Sequence, residues 1–397
     1  MKKKILTSVI LLGLMVCNCS GFAMGKTVKL SRKQKKEASL INIAKSSFES
    51  EQYDMAIEYY TKALEINPQN AESYAKRGNA KFLLGHYKDA VKDYTKALEL
   101  DPTRENLYYN RGIAKANLKA YKEVIEDYTK EIELNPDNIN AYLNRGTTKV
   151  LLKQYDSAIS DFTKVIELDN KNELAYYNRG IAKRQKADYK GAIDDYSKLL
   201  AFSPENIDAI NNRGVAKFYL KDYAGAIDDY SKVISLDNRF AKVYYNRGIA
   251  NLALKKYEDA IFDFTKEIEN NPKNDSAYYE RAVAEEKLDH HVSAIDDFTK
   301  AIELNPKNAQ YYAERGALIS KSEGDLKKAE QDLNMAIKLD DKDAEMYLTR
   351  AIIYCKLGFY LAAVDDLNIV IKMNPKYTQA YDLRSYAIKS VLAEQKK

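Results

Sequence analysis

Apolar and polar positions alternate along most of this chain with a helical beat. In Ser73–Leu84 apolar or small residues recur every three or four positions, the signature of an amphipathic helix. Gly85-His86 interrupts it, and Tyr87–Leu100 resumes the pattern as far as Asp101-Pro102. Proline cannot continue a helix and restricts the residue before it, so the second helix ends there. The helix–break–helix unit then recurs. Arg77, Arg111, Arg145, Arg179, Arg213, Arg247, Arg281 and Arg315 stand 34 residues apart, and the next steps, to Arg350 and Arg384, are 35 and 34. Pro68, Pro102, Pro136, Pro204, Pro272 and Pro306 keep the same step, and Pro375 falls in phase after one extra residue near Gly324. Such a period predicts a two-helix module stacked on copies of itself, an all-α solenoid.

Ten modules fit between Glu37 and Tyr377, beginning at 37, 71, 105, 139, 173, 207, 241, 275, 309 and 344. Residues 378–397 supply one more helix, expected to cap the stack. The first module is degenerate, with Leu40, Ile43 and Ala44 where others carry Tyr, Arg and Gly, as a terminal unit should be. Ahead of the modules, residues 1–23 read as an export signal. Lys2–Lys4 precede the apolar run Ile5–Val16, and Gly21 and Ala23 suit cleavage after Ala23. The run is short for a membrane span. Cys17 is a candidate lipidation site: Leu14 stands three residues before it, as a bacterial lipobox requires, whereas Val16 does not suit the adjoining position. Cleavage and lipid anchoring both remain open. Residues 24–36 carry six Lys or Arg and are expected to be a flexible basic linker, with weak attraction to an anionic surface as the alternative.

The module resembles the tetratricopeptide repeat over about 340 residues. That motif wants a large aromatic at position 4, small residues at 8 and 20, aromatics at 17 and 24, and Pro at 32. The module at 71 offers Tyr74, Gly78, Tyr87, Ala90, Tyr94 and Pro102, and the module at 241 offers Tyr244, Gly248, Tyr257, Ala260, Phe264 and Pro272. The resemblance implies a right-handed superhelix whose concave groove, lined by the first helices, binds a protein or peptide. The family's carboxylate clamp is not implied: Asn79 and Asn110 fit it, but Ala75, Asn140 and Asn144 stand where it needs basic residues.

Position 7, usually Leu in that family, is Arg here. It shares a helical face with apolar positions, so it needs a counter-charge. Sixteen residues after Arg77, Arg111, Arg145, Arg179, Arg213 and Arg247 stand Asp93, Asp127, Asp161, Asp195, Asp229 and Asp263. A structural ladder of Arg–Asp pairs is expected, bidentate where geometry allows. Pairing within a module and pairing across modules are both compatible with the spacing.

A different face carries the candidate binding residues. Position 6 is Asn110, Asn144, Asn178, Asn212 and Asn246 in five successive modules, and beside it stand Tyr109, Tyr177, Tyr245 and Tyr279. An amide donates and accepts, so such a row can grip an extended backbone. It is similar to the asparagine ladder of a protein-modifying glycosyltransferase superhelix. The tyrosines add flat contact surface. The alternative is that these amides bond only to neighbouring helices.

Composition narrows the class. Of the five net positive charges, three are leader lysines, so the remainder is near balance and gives no electrostatic reason to bind nucleic acid. There is no phosphate loop and no HExxH; His86, His290 and His291 fall at turns, and Cys355 is a lone thiol of the repeats. No cofactor or metal is expected, and no enzymatic activity. The sequence points to an exported bacterial scaffold of the envelope that binds a protein or peptide. A lipid-anchored accessory subunit of an envelope enzyme or assembly machine is the alternative.

Overall fold

The computed structural model describes residues 31–322 and 324–395. The export signal, Cys17 and linker residues 24–30 lie outside the described residues. Among those described there are 21 helices and no strand. They fall into two compact units, the first ending at Pro204 and the second starting at Glu205.

In the first unit Arg32–Glu49 pairs with Tyr53–Ile66, Ala71–Leu83 with Tyr87–Leu100, and Leu107–Asn117 with Tyr121–Leu134. Ile139–Leu151 pairs with Tyr155–Leu168, and Glu173–Gln185 with Tyr189–Phe202. The second unit pairs Ile207–Tyr219 with Tyr223–Leu236, Val243–Ala253 with Tyr257–Asn270, and Asp275–Glu286 with His291–Leu304. Ala309–Lys321 then pairs with Leu326–Leu339 and Ala344–Leu357 with Tyr360–Met373, and Thr378–Glu394 follows. Within each unit alternate first helices touch, as Ala71–Leu83 does Leu107–Asn117 and Val243–Ala253 does Asp275–Glu286, while alternate second helices stay further apart. Each stack is therefore tighter on the side of its first helices, which form its inner face.

Local sequence sets the helix ends. Asn70, Asn138, Asn172 and Asn206 cap first helices by accepting from the N–H three residues on. Arg104 and Phe240 occupy that place in two modules, and there the helix starts late, at Leu107 and Val243, after a left-handed residue, Asn106 or Lys242. Both modules carry a buried Glu on the second helix, Glu131 or Glu267. Glu131 accepts from the Tyr109 N–H at 3.3 Å and from Asn138 Nδ2 at 3.0 Å, so it serves the uncapped helix start. Glu267 accepts from Asn274 Nδ2 at 2.9 Å.

The linker expected over 24–36 differs in its last part. Arg32–Glu49 is one continuous helix, so residues 32–36 are helical. Ser31 and Gln34 form a reciprocal capping box, and no Pro or Gly interrupts the following turns.

Packing inside a module rests on the aromatic at position 24. A Cβ added at Gly180 would sit 2.7 Å from the Tyr196 ring, and one at Gly248 2.7 Å from the Phe264 ring. Glycine is what lets the first helix lie directly on that ring. Ala90, Ala192 and Ala226, at position 20, are fully buried on the facing helix.

Candidate functional site

The inner face of each unit is built on arginines that are mostly half-buried. Arg77 donates from Nε and Nη2 to both oxygens of Asp93, at 2.9 and 2.7 Å, so the pair is bidentate and lies within one module. Its third arm, Nη1, donates to Thr61 Oγ1 of the preceding module at 3.0 Å. One guanidinium thus fastens three helices. The same fork joins Arg111 to Asp127 and Thr95, Arg145 to Asp161 and Thr129, and Arg179 to Asp195 and Thr163. Arg213 grips Asp229, and Arg247 grips Asp263 and Ser231. Arg384 does not reach back to Asp366, which Arg350 already holds; it donates to Asn368 Oδ1 at 2.8 Å instead.

Two further partners were not legible as such from sequence. One is the lysine of position 11: Lys81, Lys115, Lys149, Lys183 and Lys217 each place the ammonium 2.7–2.9 Å from the second oxygen of the buried Asp. The hydroxyl of position 25 is the other, and its recurrence as Thr61, Thr95, Thr129 and Thr163 was the available signal. Where position 11 is Asn251, the carboxyl of Asp263 is raised above its usual range by burial, against the bonds from Arg247 and Asn251 that lower it.

The expected amide row is not a continuous free row. Asn110 and Asn144 are 4% exposed and Asn212 is 8% exposed. Asn144 donates to the Tyr109 hydroxyl of the preceding module at 3.1 Å, and Asn212 donates to the Asp208 carbonyl at 2.8 Å. Close approach of consecutive first helices on the inner side encloses these amides. Asn110 Oδ1 is buried without a hydrogen-bond partner among the described residues. Asn178 and Asn246 are half-buried and reach the face.

The tyrosines divide likewise. Tyr109 is fully buried against Tyr128, ring centroids 5.8 Å apart, and offers no contact surface. Tyr177, Tyr245 and Tyr279 are half-buried and stand on the aromatic of position 24, 6.1, 5.8 and 5.7 Å from Tyr196, Phe264 and Phe298. Burial, then Glu280, pushes the Tyr245 hydroxyl up to about 12. In the next two modules position 6 turns from amide to carboxylate, at Glu280 and Glu314, both half-buried and both raised in pKa chiefly by burial.

Among the described residues no group of three or more His, Cys, Asp or Glu could hold a metal ion, and no helix is long and apolar enough to cross a membrane.

Models of the TPR repeat match residues 44–85, 78–119 and 216–255, and models of the tetratricopeptide repeat match 105–138, 139–172, 241–274 and 275–308. Together they cover more than half of the chain. Among solved structures, the C-terminal part of a TPR repeat-containing protein from Cytophaga hutchinsonii is 18% identical with a TM-score of 0.54, covering 61% of this chain and 98% of its own, and shows the shared fold. A tetratricopeptide repeat protein from Parabacteroides merdae is 22% identical, covering 63% and 99%, with a TM-score of 0.45. YrrB, a TPR protein with an unusual peptide-binding site, is 25% identical, covering 51% and 100%, with a TM-score of 0.44. No curated protein sequence matches the chain.

Proposed function

Because the chain belongs to the tetratricopeptide-repeat family, we propose that it is a non-enzymatic scaffold holding extended peptide or protein segments on the first-helix faces of its units. The observation that carries this reading is the fixed setting of the half-buried side chains on each of those faces. Tyr177, Tyr245 and Tyr279 each rest on a packed ring, and Asn178 and Asn246 stand beside the first two. Groups already held in place lose little freedom on binding, which favours affinity. The leader, with Lys2–Lys4 ahead of Ile5–Val16, supports export to the periplasm or cell surface. A lipid-anchored accessory subunit is the second reading, supported by Leu14 three residues before Cys17. Intact mass of the mature protein decides between them: a diacyl or triacyl adduct on Cys17 supports the anchored form, and a chain beginning at Met24 excludes it.

The binding reading is tested with Asn178→Ala plus Asn246→Ala. An array of extended peptides is probed with wild type and double variant, and helicity is followed by circular dichroism. Peptides bound by wild type should be released at least about tenfold faster by the variant, with helicity unchanged. Equal binding by both proteins removes these amides from the binding face.

A further inference from the structure

Position 11 is a donor slot in six successive modules. Five fill it with lysine, and the sixth with Asn251, whose Nδ2 donates to Asp263 at 3.0 Å. Lys149, Lys183 and Lys217 donate as well to the carbonyls of Ser157, Gly191 and Gly225 in the first turn of the second helix. In the next module the slot holds Glu285. An ionised carboxylate has no proton to donate. Its Oε2 is buried without a partner among the described residues. The Asp it faces, Asp297, is 7% exposed. The neighbouring guanidinium, Arg281, is already engaged, with Nε and Nη2 on Asp297 at 2.6 and 2.8 Å and Nη1 on Thr265 at 2.9 Å.

We propose that Glu285 is a proton-operated latch between Asp275–Glu286 and His291–Leu304. Protonated, it is the donor that Lys or Asn supplies in the preceding modules, and it holds the two helices together. Ionised, it sets a second carboxylate beside Asp297 and loosens the pair.

The surroundings agree with this. Burial first, then Asp297, raises the Glu285 carboxyl to about 7, against a lowering pull from Arg281, and Asp296 adds to the rise. From His291–Leu304 the imidazole of His291 begins the facing helix, its Nδ1 buried without a partner among the described residues. Several charges on the other packed helices are already paired. Val243–Ala253 offers Arg247, held by Asp263 of Tyr257–Asn270, where Lys266 pairs with Glu269. Ala309–Lys321 offers Lys321, paired with Glu286 at 3.4 Å, and Glu314, raised by burial. An unfolded Glu titrates near about 4.3. The folded carboxyl holds its proton more tightly, so the latch's contribution is full below that value and is lost as pH rises through about 7.

The test is amide hydrogen exchange on the full chain between about pH 5.5 and pH 8, corrected for intrinsic rates, with residues 241–270 as internal reference. Protection of 275–304 should fall roughly tenfold or more in wild type. Glu285→Lys and Glu285→Gln, both permanent donors, should hold it constant within about twofold. A pH-independent wild type overturns the latch. An equal fall in Glu285→Gln also overturns it.

Discussion

Replacing Arg247 with alanine should destabilise residues 207–270 by about 3–5 kcal/mol, the range for stranding one member of a buried ion pair. Asp263 has a side chain only 1% exposed, and among the described residues Arg247 is its only cationic partner. The remaining donor, Asn251, is neutral and bonds a single oxygen. The same substitution also frees Ser231, so the loss spreads to the preceding module. Arg145→Ala provides the contrast. There Lys149 stays 2.8 Å from Asp161, so the carboxylate keeps a cation. The cost should be nearer about 1.5–3 kcal/mol, the worth of hydrogen bonds to a charged group. Stacked modules need not unfold as one unit, so the measurement is amide exchange module by module. Equal losses in the two variants would mean that position 11 contributes nothing.

Phe264→Ala should cost about 3–5 kcal/mol, the usual loss for removing a fully buried aromatic. The ring is 0% exposed, lies under the Gly248 backbone and supports Tyr245. A cavity there undermines both the helix contact and the face residue above it. The energetics should be non-additive. Gly248→Ala in the wild type forces a Cβ to within 2.7 Å of the ring and should cost about 1–3 kcal/mol through overpacking. In the Phe264→Ala background that methyl enters the vacated space and should cost little or stabilise. Urea unfolding of the four proteins checks this; additive losses would show that Gly248 and Phe264 do not share the contact.

The helical module was legible because its signals are local. The Arg step, the Pro step and the aromatic and small positions recur in most copies, so they are read from spacing along the chain alone. The Arg–Asp pairing was legible as a coincidence of types, and the fork geometry assigns it to one module. The roles of Lys149 and Thr129 were hidden for a simple reason. Helical spacing gives the direction of a side chain around its own helix, not the distance to the next one. The same limit explains the amide row. Position 6 does lie on the first-helix face, but the approach of successive first helices decides whether an amide there meets solvent, as Asn178 does, or a neighbour, as Asn144 does with Tyr109. Glu131 was legible only in combination with Arg104, since the acid matters where the capping Asn is missing.

Within each unit an arginine guanidinium fastens its own module and ties it to the preceding one, as Arg247 does with Asp263 and Ser231. A double-mutant cycle on Arg247 and Asp263, read by amide exchange over residues 207–270, tests it most directly. A coupling energy of about 2–3 kcal/mol is expected, at the upper end for contacting residues. Coupling within about 0.5 kcal/mol of zero would contradict the account, since the stack would then be held by its aromatic and alanine packing alone.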